Sequence, residues 1–298
     1  MTSAAASPKS PGIQSAKTPP PQCPQAFPNV TVPDTFPLPG NSTDTKDCLF
    51  LNVFVPRNRP RSKRLPVIAW IHGGGYSLGN ASSYDGTNLV RESNDAVVVV
   101  SVQYRLGIFD FLSSAKIREN GALNAGLLDQ ELALQWIQTH VWRRSRTGHY
   151  MGSISAGSVL QHVVCSKWRN KPTLVQGGDD KFHLLAIPHA LLSVSNVNGD
   201  ILVDQTTAST EVARLYAGMG TPIEQANRIM GEAIFICPTY FLLKAFPGSF
   251  RGENAVPPAL HGDDLPHYFP RPFDDPDFST SFTQSFLDFV LNLDPNVK

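Results

Sequence analysis

The sequence predicts an α/β fold: an incomplete mixed central sheet with flanking helices. Two apolar runs and one long helical stretch predict it. Val67 to Ile71 and Ala96 to Val102 are apolar runs, the pattern of strands buried on both faces of a mixed or parallel sheet. Asn124 to His140 spaces Leu127, Leu128, Leu132, Gln135, Trp136 and Thr139 close to the helical repeat, with Asn124 in the N-cap position. Strands that alternate with helices build a sheet joined by crossover helices.

In chain order, residues 1–46 hold many of the 25 prolines and read as an extended leader. Met1 to Pro21 has no apolar core segment, so it is not a signal peptide as written. Leu49 to Val55 alternates and is rich in β-formers, hence a strand, and Pro56 to Arg64 is a basic, solvated connector. Ser83 to Glu92, between the two apolar runs, suits a short helix or a loop. Ser209 to Met219, Pro222 to Met230, Thr239 to Phe246 and Phe278 to Leu293 read as helices. Residues 47–298 are read as a single, partial domain with a degraded segment at about 141–190, which is basic at first and then polar and Gly-rich.

Composition narrows the function. Apolar residues make up 41% and charged residues 17%, with 25 basic and 25 acidic side chains, a globular pattern without a basic run to hold nucleic acid. No apolar stretch is long enough to span a bilayer as a helix, and no His or Cys spacing fits a metal site. Oligomeric state has no signature here. Asn29, Asn41 and Asn80 each begin a glycosylation triplet. Cys23 and Cys48 flank a Pro-rich loop whose closure by a disulfide suits an oxidising compartment. Cys165 and Cys237, in apolar sequence, read as buried thiols rather than a pair. The expectation is a secreted, extracellular ancestor whose start precedes this chain.

The stretch that carries chemistry is Trp70-Ile71-His72-Gly73-Gly74-Gly75-Tyr76, directly after an apolar strand. Without Cβ atoms, successive backbone N–H groups can converge on one developing oxyanion. His-Gly-Gly-Gly after a strand is an oxyanion-loop motif of ester hydrolases; a Gly-rich hairpin or phosphate loop is the bland alternative.

Further segments resemble the type-B carboxylesterase/lipase family, the cholinesterase-like α/β-hydrolases, and extracellular fungal members most of all. They are Asp47 to Val53, Ser101 to Gly107 and Asn124 to Gln130, in that order, then Gly231 to Pro238 and Ala255 to Leu265. Lys46 departs from the acid usual before the first of these. The resemblance implies an α/β-hydrolase fold, a Cys23–Cys48 disulfide and an Arg105–Asp129 salt bridge. It also implies a serine-type carboxylic ester hydrolase that acts on a small-molecule or lipid ester without metal or organic cofactor, with His261 as the catalytic base.

The rest of the implied triad is altered. Ser155-Ala156-Gly157 reproduces half of a Gly-x-Ser-x-Gly elbow, but Ser153 replaces its first glycine, so Ser155 is the nearest surviving hydroxyl and Ala156 the third oxyanion donor. Asp200 stands one place after Gly199, which occupies the position of the family's catalytic glutamate. Codons for Val141 to Ser155 read one base later can encode Phe-Gly-Gly-Asp-Pro-Glu-Leu-Val-Thr-Ile-Trp-Gly-Val-Ser-Ala, the family's missing loop, strand and elbow. A frameshifted segment follows as a hypothesis, to be tested by transcript sequencing. The rival functions are a catalytically inactive cholinesterase-like interaction protein and a defective gene-model product.

Overall fold

The computed structural model describes residues 16–25, 43–57, 65–111, 115–121, 123, 125–141, 148–152, 185–186, 208–232, 236–245, 250–252, 256–257, 262–269 and 276–297. In chain order its elements are β1 (Leu51–Phe54), β2 (Val67–Ile71), α1 (Thr87–Glu92), β3 (Val98–Val102), α2 (Ile108–Phe111), α3 (Ala115–Asn120), α4 (Ala125–His140), β4 (Gly148–Gly152), β5 (Leu185–Ala186), α5 (Ala208–Tyr216), α6 (Pro222–Gly231), α7 (Cys237–Ala245), β6 (Phe250–Arg251), α8 (Leu265–Tyr268) and α9 (Pro276–Asn292). Backbone packing divides the chain into two compact units, Met1–Phe182 with His267–Lys298, and His183–Pro266.

The first unit holds a four-stranded sheet in the order β1-β3-β2-β4, with β1 antiparallel to β3 and the other pairs parallel. The two apolar runs become its central strands, and every residue of β2 and β3 is buried. Their register sorts side chains by face. Val67, Ala69 and Ile71 stand opposite Val98, Val100 and Val102, and this face packs with Tyr104, Leu106, Leu134 and Ile137 into one core. On the alternate face Trp70 meets Tyr84, Tyr268 and Phe269 at ring-centroid distances of 5.2, 6.5 and 4.8 Å. Tyr268 in turn meets Phe286 of α9, whose Phe286, Leu287, Phe289 and Val290 are buried, and α9 also packs on α1. Each buried aliphatic or aromatic side chain contributes roughly 1.5–3 kcal/mol, which is why the two valine-rich strands anchor this unit.

Helix α4 forms where its sequence predicts, but it buries a different face. Ala125, Gly126, Asp129, Gln130, Leu134 and Ile137 are inside, whereas Leu128 is 45% exposed and Gln135 and Thr139 face solvent. Close approach decides the face. A Cβ on Gly126 would lie 2.7 Å from the Phe111 ring and 2.8 Å from Arg105 O, so small residues let α4 sit against the chain there. Asp129 then reaches Arg105 in a bidentate pair, Nε to Oδ2 at 2.8 Å and Nη2 to Oδ1 at 2.7 Å. That is the ion pair the resemblance implies. Asn124, the expected cap, lies outside the described residues.

Strand β4 is the second departure. The basic stretch from Val141 to Tyr150 does not read as a buried strand, yet Gly148–Gly152 pairs in parallel with β2. Main-chain N–H and C=O groups form the ladder whatever the side chains, and the free edge of β2 offers such a ladder. A third departure is Cys237: it is an exposed free thiol at the start of α7, not a buried one. Cys165 lies outside the described residues.

A strap from the N-terminal region lies across this unit, held by polar contacts and one covalent bond. Cys23 and Cys48 are disulfide-bonded, and both are fully buried. Gln22 bridges to Asp44, with Gln22 N donating to Thr43 O at 3.3 Å and Thr45 N donating to Gln22 O at 3.0 Å. Gln103 Nε2 donates to Cys48 O at 2.7 Å and to Pro21 O at 2.8 Å, while its Oε1 accepts from Ala81 N at 3.2 Å. In the second unit, α6 starts on a capping box in which Thr221 Oγ1 accepts from Glu224 N and the Glu224 carboxylate accepts from Thr221 N at 2.7 Å. There β5 pairs in parallel with β6. Among the described residues no helix is long and apolar enough to cross a membrane.

Candidate active site

The His-Gly-Gly-Gly stretch leaves the carboxyl end of β2. His72 is fully buried and its ring lies nearly parallel to Tyr104 at 4.5 Å. Its Nδ1 is 2.8 Å from Gly73 O, a bond that places the proton on Nδ1, and its Nε2 is buried without a hydrogen-bond partner among the described residues. Burial lowers the His72 pKa to about 4, so the ring is neutral near pH 7. Tyr104 OH donates to His72 O at 2.7 Å and fixes the start of the loop.

Beyond Gly73 the chain turns sharply. Gly74, Gly75 and Tyr76 follow one another at φ of 117°, 59° and 62°, and Gly74 O accepts from both Ser77 N at 3.0 Å and Leu78 N at 3.1 Å. A side chain on Gly74 would overlap the Leu78 carbonyl, so only glycine fits. The turn's own bonds engage the Gly74 carbonyl and leave the Gly74 and Gly75 amides outside them; Gly75 is exposed. Tyr76 folds back: its carbonyl accepts from Gly107 N at 2.7 Å and its ring tilts onto Phe111 at 4.6 Å. Burial pushes the Tyr76 phenol up to about 12, and it stays protonated at neutral pH.

The register of β2 and β4 pairs Ile71 with Gly152. Both strands run the same way, so β2 and β4 end side by side, at Ile71 and Gly152, at one end of the sheet. Ser155, Ala156, Asp200 and His261 themselves lie outside the described residues, as do Asn29 and Asn41. Near the last of the triad positions, Gly262 is described at φ 92° and its carbonyl accepts from Leu265 N at 3.0 Å. Asn80 is described and 2% exposed. Its Nδ2 donates to Gln22 Oε1 at 2.8 Å and its Oδ1 accepts from Ser83 N at 2.8 Å, so the nitrogen a glycan would need is engaged in the interior.

The strap glutamines beside this loop are what sequence reading misses. Gln22 and Gln25 follow no motif of their own, and only the Asn80-to-Ser83 spacing carries a visible capping signal. No group of His, Cys, Asp and Glu that could hold a metal ion occurs among the described residues.

Comparison with known proteins bears on the family and the fold. Residues 3–143 match the model of the carboxylesterase family. Carboxylesterase 1E of Mus musculus is 50% identical over 97 residues, which cover 33% of this chain and 16% of that protein. Secreted lipase 1 of Botryotinia fuckeliana (strain B05.10) is 40% identical over 134 residues, 40% of this chain and 23% of that lipase. The chain thus spans less than a quarter of the length of these relatives. Among solved structures, Aspergillus niger EstA superposes with a TM-score of 0.71 at 20% identity, over 95% of this chain and 80% of that one. A thermophilic pNB esterase gives 0.66 at 18% identity, over 93% and 81%. The fold is that of an α/β-hydrolase, with a mixed sheet and flanking helices.

Proposed function

We propose that this chain, whose residues 3–143 match the carboxylesterase family, is by ancestry a serine-type carboxylic ester hydrolase. The observation that supports this reading best is the Ile71–Gly152 register, which ends β4 beside the strand that leads into the Gly74-Gly75 turn. Residues 47–298 are then one partial hydrolase domain.

In this reading Ser155 Oγ attacks an ester carbonyl while His261 takes its proton. The C–O bond to Oγ forms, the carbonyl electrons move onto oxygen, and the amides of Gly74, Gly75 and Ala156 hold the oxyanion. Collapse expels the alkoxide, which leaves as the alcohol with the proton from His261. Water then repeats the sequence on the acyl-enzyme. Asp200 would hold the imidazole tautomer. The loss of one oxyanion donor typically costs roughly 100- to 1,000-fold in rate. Small-molecule or lipid esters are the substrate class, and the chemistry calls for no cofactor. An extracellular setting, with glycans at Asn29 and Asn41, fits the Cys23–Cys48 disulfide.

A second reading, an inactive scaffold that serves in binding, is favoured by Gly199 at the glutamate position and Ser153 in the elbow. Labelling with a fluorophosphonate probe separates the two. An adduct mapped to Ser155 and absent from Ser155→Ala establishes the hydrolase; a folded chain that takes no label refutes it and leaves the binding role.

A further inference from the structure

One side-chain amide grips both polar groups of a single glycine behind the turn. Gln25 Oε1 accepts from Gly79 N at 2.7 Å, and Gln25 Nε2 donates to Gly79 O at 3.1 Å. A neighbouring β-strand would satisfy a residue in the same way. Gln25 is itself held by the strap, since Nε2 also donates to Cys23 O at 2.7 Å and Gln25 N donates to Asp44 Oδ2 at 3.2 Å. Two residues back, Cys23 carries the disulfide to Cys48.

Gly79 is buried, at φ +108°, and a Cβ there would lie 2.6 Å from Gly73 O and 2.6 Å from His72 Nδ1. It therefore closes the base of the loop that opens at His72. The two ends of that loop have separate anchors: Tyr104 OH on the His72 carbonyl at one end, the Gln25 amide on Gly79 at the other. Between them lie consecutive left-handed residues, bonded through Gly74 O to Ser77 N and Leu78 N, through Gly75 O to Ser77 Oγ at 3.3 Å, and through Tyr76 O to Gly107 N. With Tyr76 tied to Gly107, fixing the Gly79 end completes the restraint on the turn's amides, and preorganised donors are what oxyanion stabilisation needs.

We propose that Gln25, on a disulfide-tethered strap far away in sequence, is a positioning residue for the Gly74-Gly75 donors. This rests on reading those amides as the oxyanion site, and it extends the site to residues with no motif of their own. The strap is then part of the active-site support, and its loss disturbs the turn before the sheet.

The test compares full-length wild type with Gln25→Ala and Gln25→Glu by amide hydrogen exchange and by fluorophosphonate kinetics. In Gln25→Ala, the Ser77 and Leu78 amides should exchange at least about 10-fold faster while those of Val98 to Val102 keep their rates. Gln25→Glu keeps an acceptor for Gly79 N but loses the donor to Gly79 O, and its turn should fall between the other two. The first-order phosphonylation rate should drop roughly 10- to 100-fold with reversible probe affinity unchanged, because misplaced donors act on the transition state. Unchanged turn exchange, or equal acceleration in the turn and in β3, overturns the proposal. If wild type takes no phosphonate, the oxyanion reading fails, and turn exchange alone decides whether Gln25 holds the loop.

Discussion

Acid should destabilise this protein through one buried side chain, His72. In the fold its ring lies between Tyr104 and Tyr84, at centroid distances of 4.5 and 6.5 Å, with Nδ1 bonded to Gly73 O and Nε2 without a partner among the described residues. A proton on Nε2 would add charge at a fully buried atom that has no acceptor among the described residues. Desolvation therefore lowers the pKa from 6.5 to about 4. The folded value lies below the unfolded one, so the contribution is fully present above pH 6.5 and is lost as pH falls towards 4. Across that window the unfolded chain binds up to one more proton than the folded chain, and each pH unit removes about 1.4 kcal/mol. Between pH 7 and pH 4.5 the loss through His72 is about 2 to 3 kcal/mol, a large part of a typical 5–15 kcal/mol stability. Urea unfolding at half-unit pH steps measures it in wild type and in His72→Gln. Other groups titrate in both proteins, so the difference in slope isolates His72 even if the variant starts lower. Parallel slopes between pH 6.5 and pH 4.5 would refute the assignment of a neutral, desolvated imidazole.

Other expectations follow from single contacts. Replacement of Cys23 and Cys48 by Ser opens a loop with a sequence separation of 25. Loop-closure entropy puts the cost at about 3.5 kcal/mol, to be read as a lowered urea midpoint in the oxidised pair of proteins. Arg105→Ala and Asp129→Ala should each cost roughly 3 kcal/mol, since the Asp129 side chain is only 5% exposed. The double variant should cost at least about 1 kcal/mol less than the sum, and strict additivity would contradict a coupled pair. On α4, Ile137→Ala should cost roughly 2–5 kcal/mol and Leu128→Ala less than about 1 kcal/mol. The reverse order in thermal unfolding would contradict the observed face.

The fold was legible wherever burial on both faces leaves one residue type. Val98, Val99 and Val100 have neighbours above and below, so the run marks a central strand without needing alternation. Helix α4 was legible in extent but not in orientation. Its inward face is set by Gly126 against Phe111 and by Asp129 against Arg105, neither of which hydropathy can see. The turn was legible because a side chain excluded at Gly74 and a left-handed backbone at Gly75 both show up as glycine. The support behind it was not, because a glutamine that pairs a backbone looks like any solvated glutamine. Asn80 makes the same point in reverse: its triplet advertises a surface amide, and the fold spends that amide on Gln22.

Strand β4 is compatible with both functional readings, and codon frame is what separates them. Its pairing with β2 uses backbone groups alone, so a sequence translated in either frame can occupy that edge, provided it lacks proline at bonded positions. Place and chemistry are thus independent here. The ladder fixes where β4 ends, at Gly152 opposite Ile71, while codon frame fixes whether the sequence that follows carries an elbow serine. A frameshift would therefore remove the nucleophile yet keep the strand, the turn and the Gln25 clamp behind it. Transcript sequencing across Val141 to Ser155 discriminates between these histories. Confirmation of the chain as given makes Ser155 the residue on which an esterase must rely, and a one-base correction restores Gly-x-Ser-x-Gly at the end of the same strand.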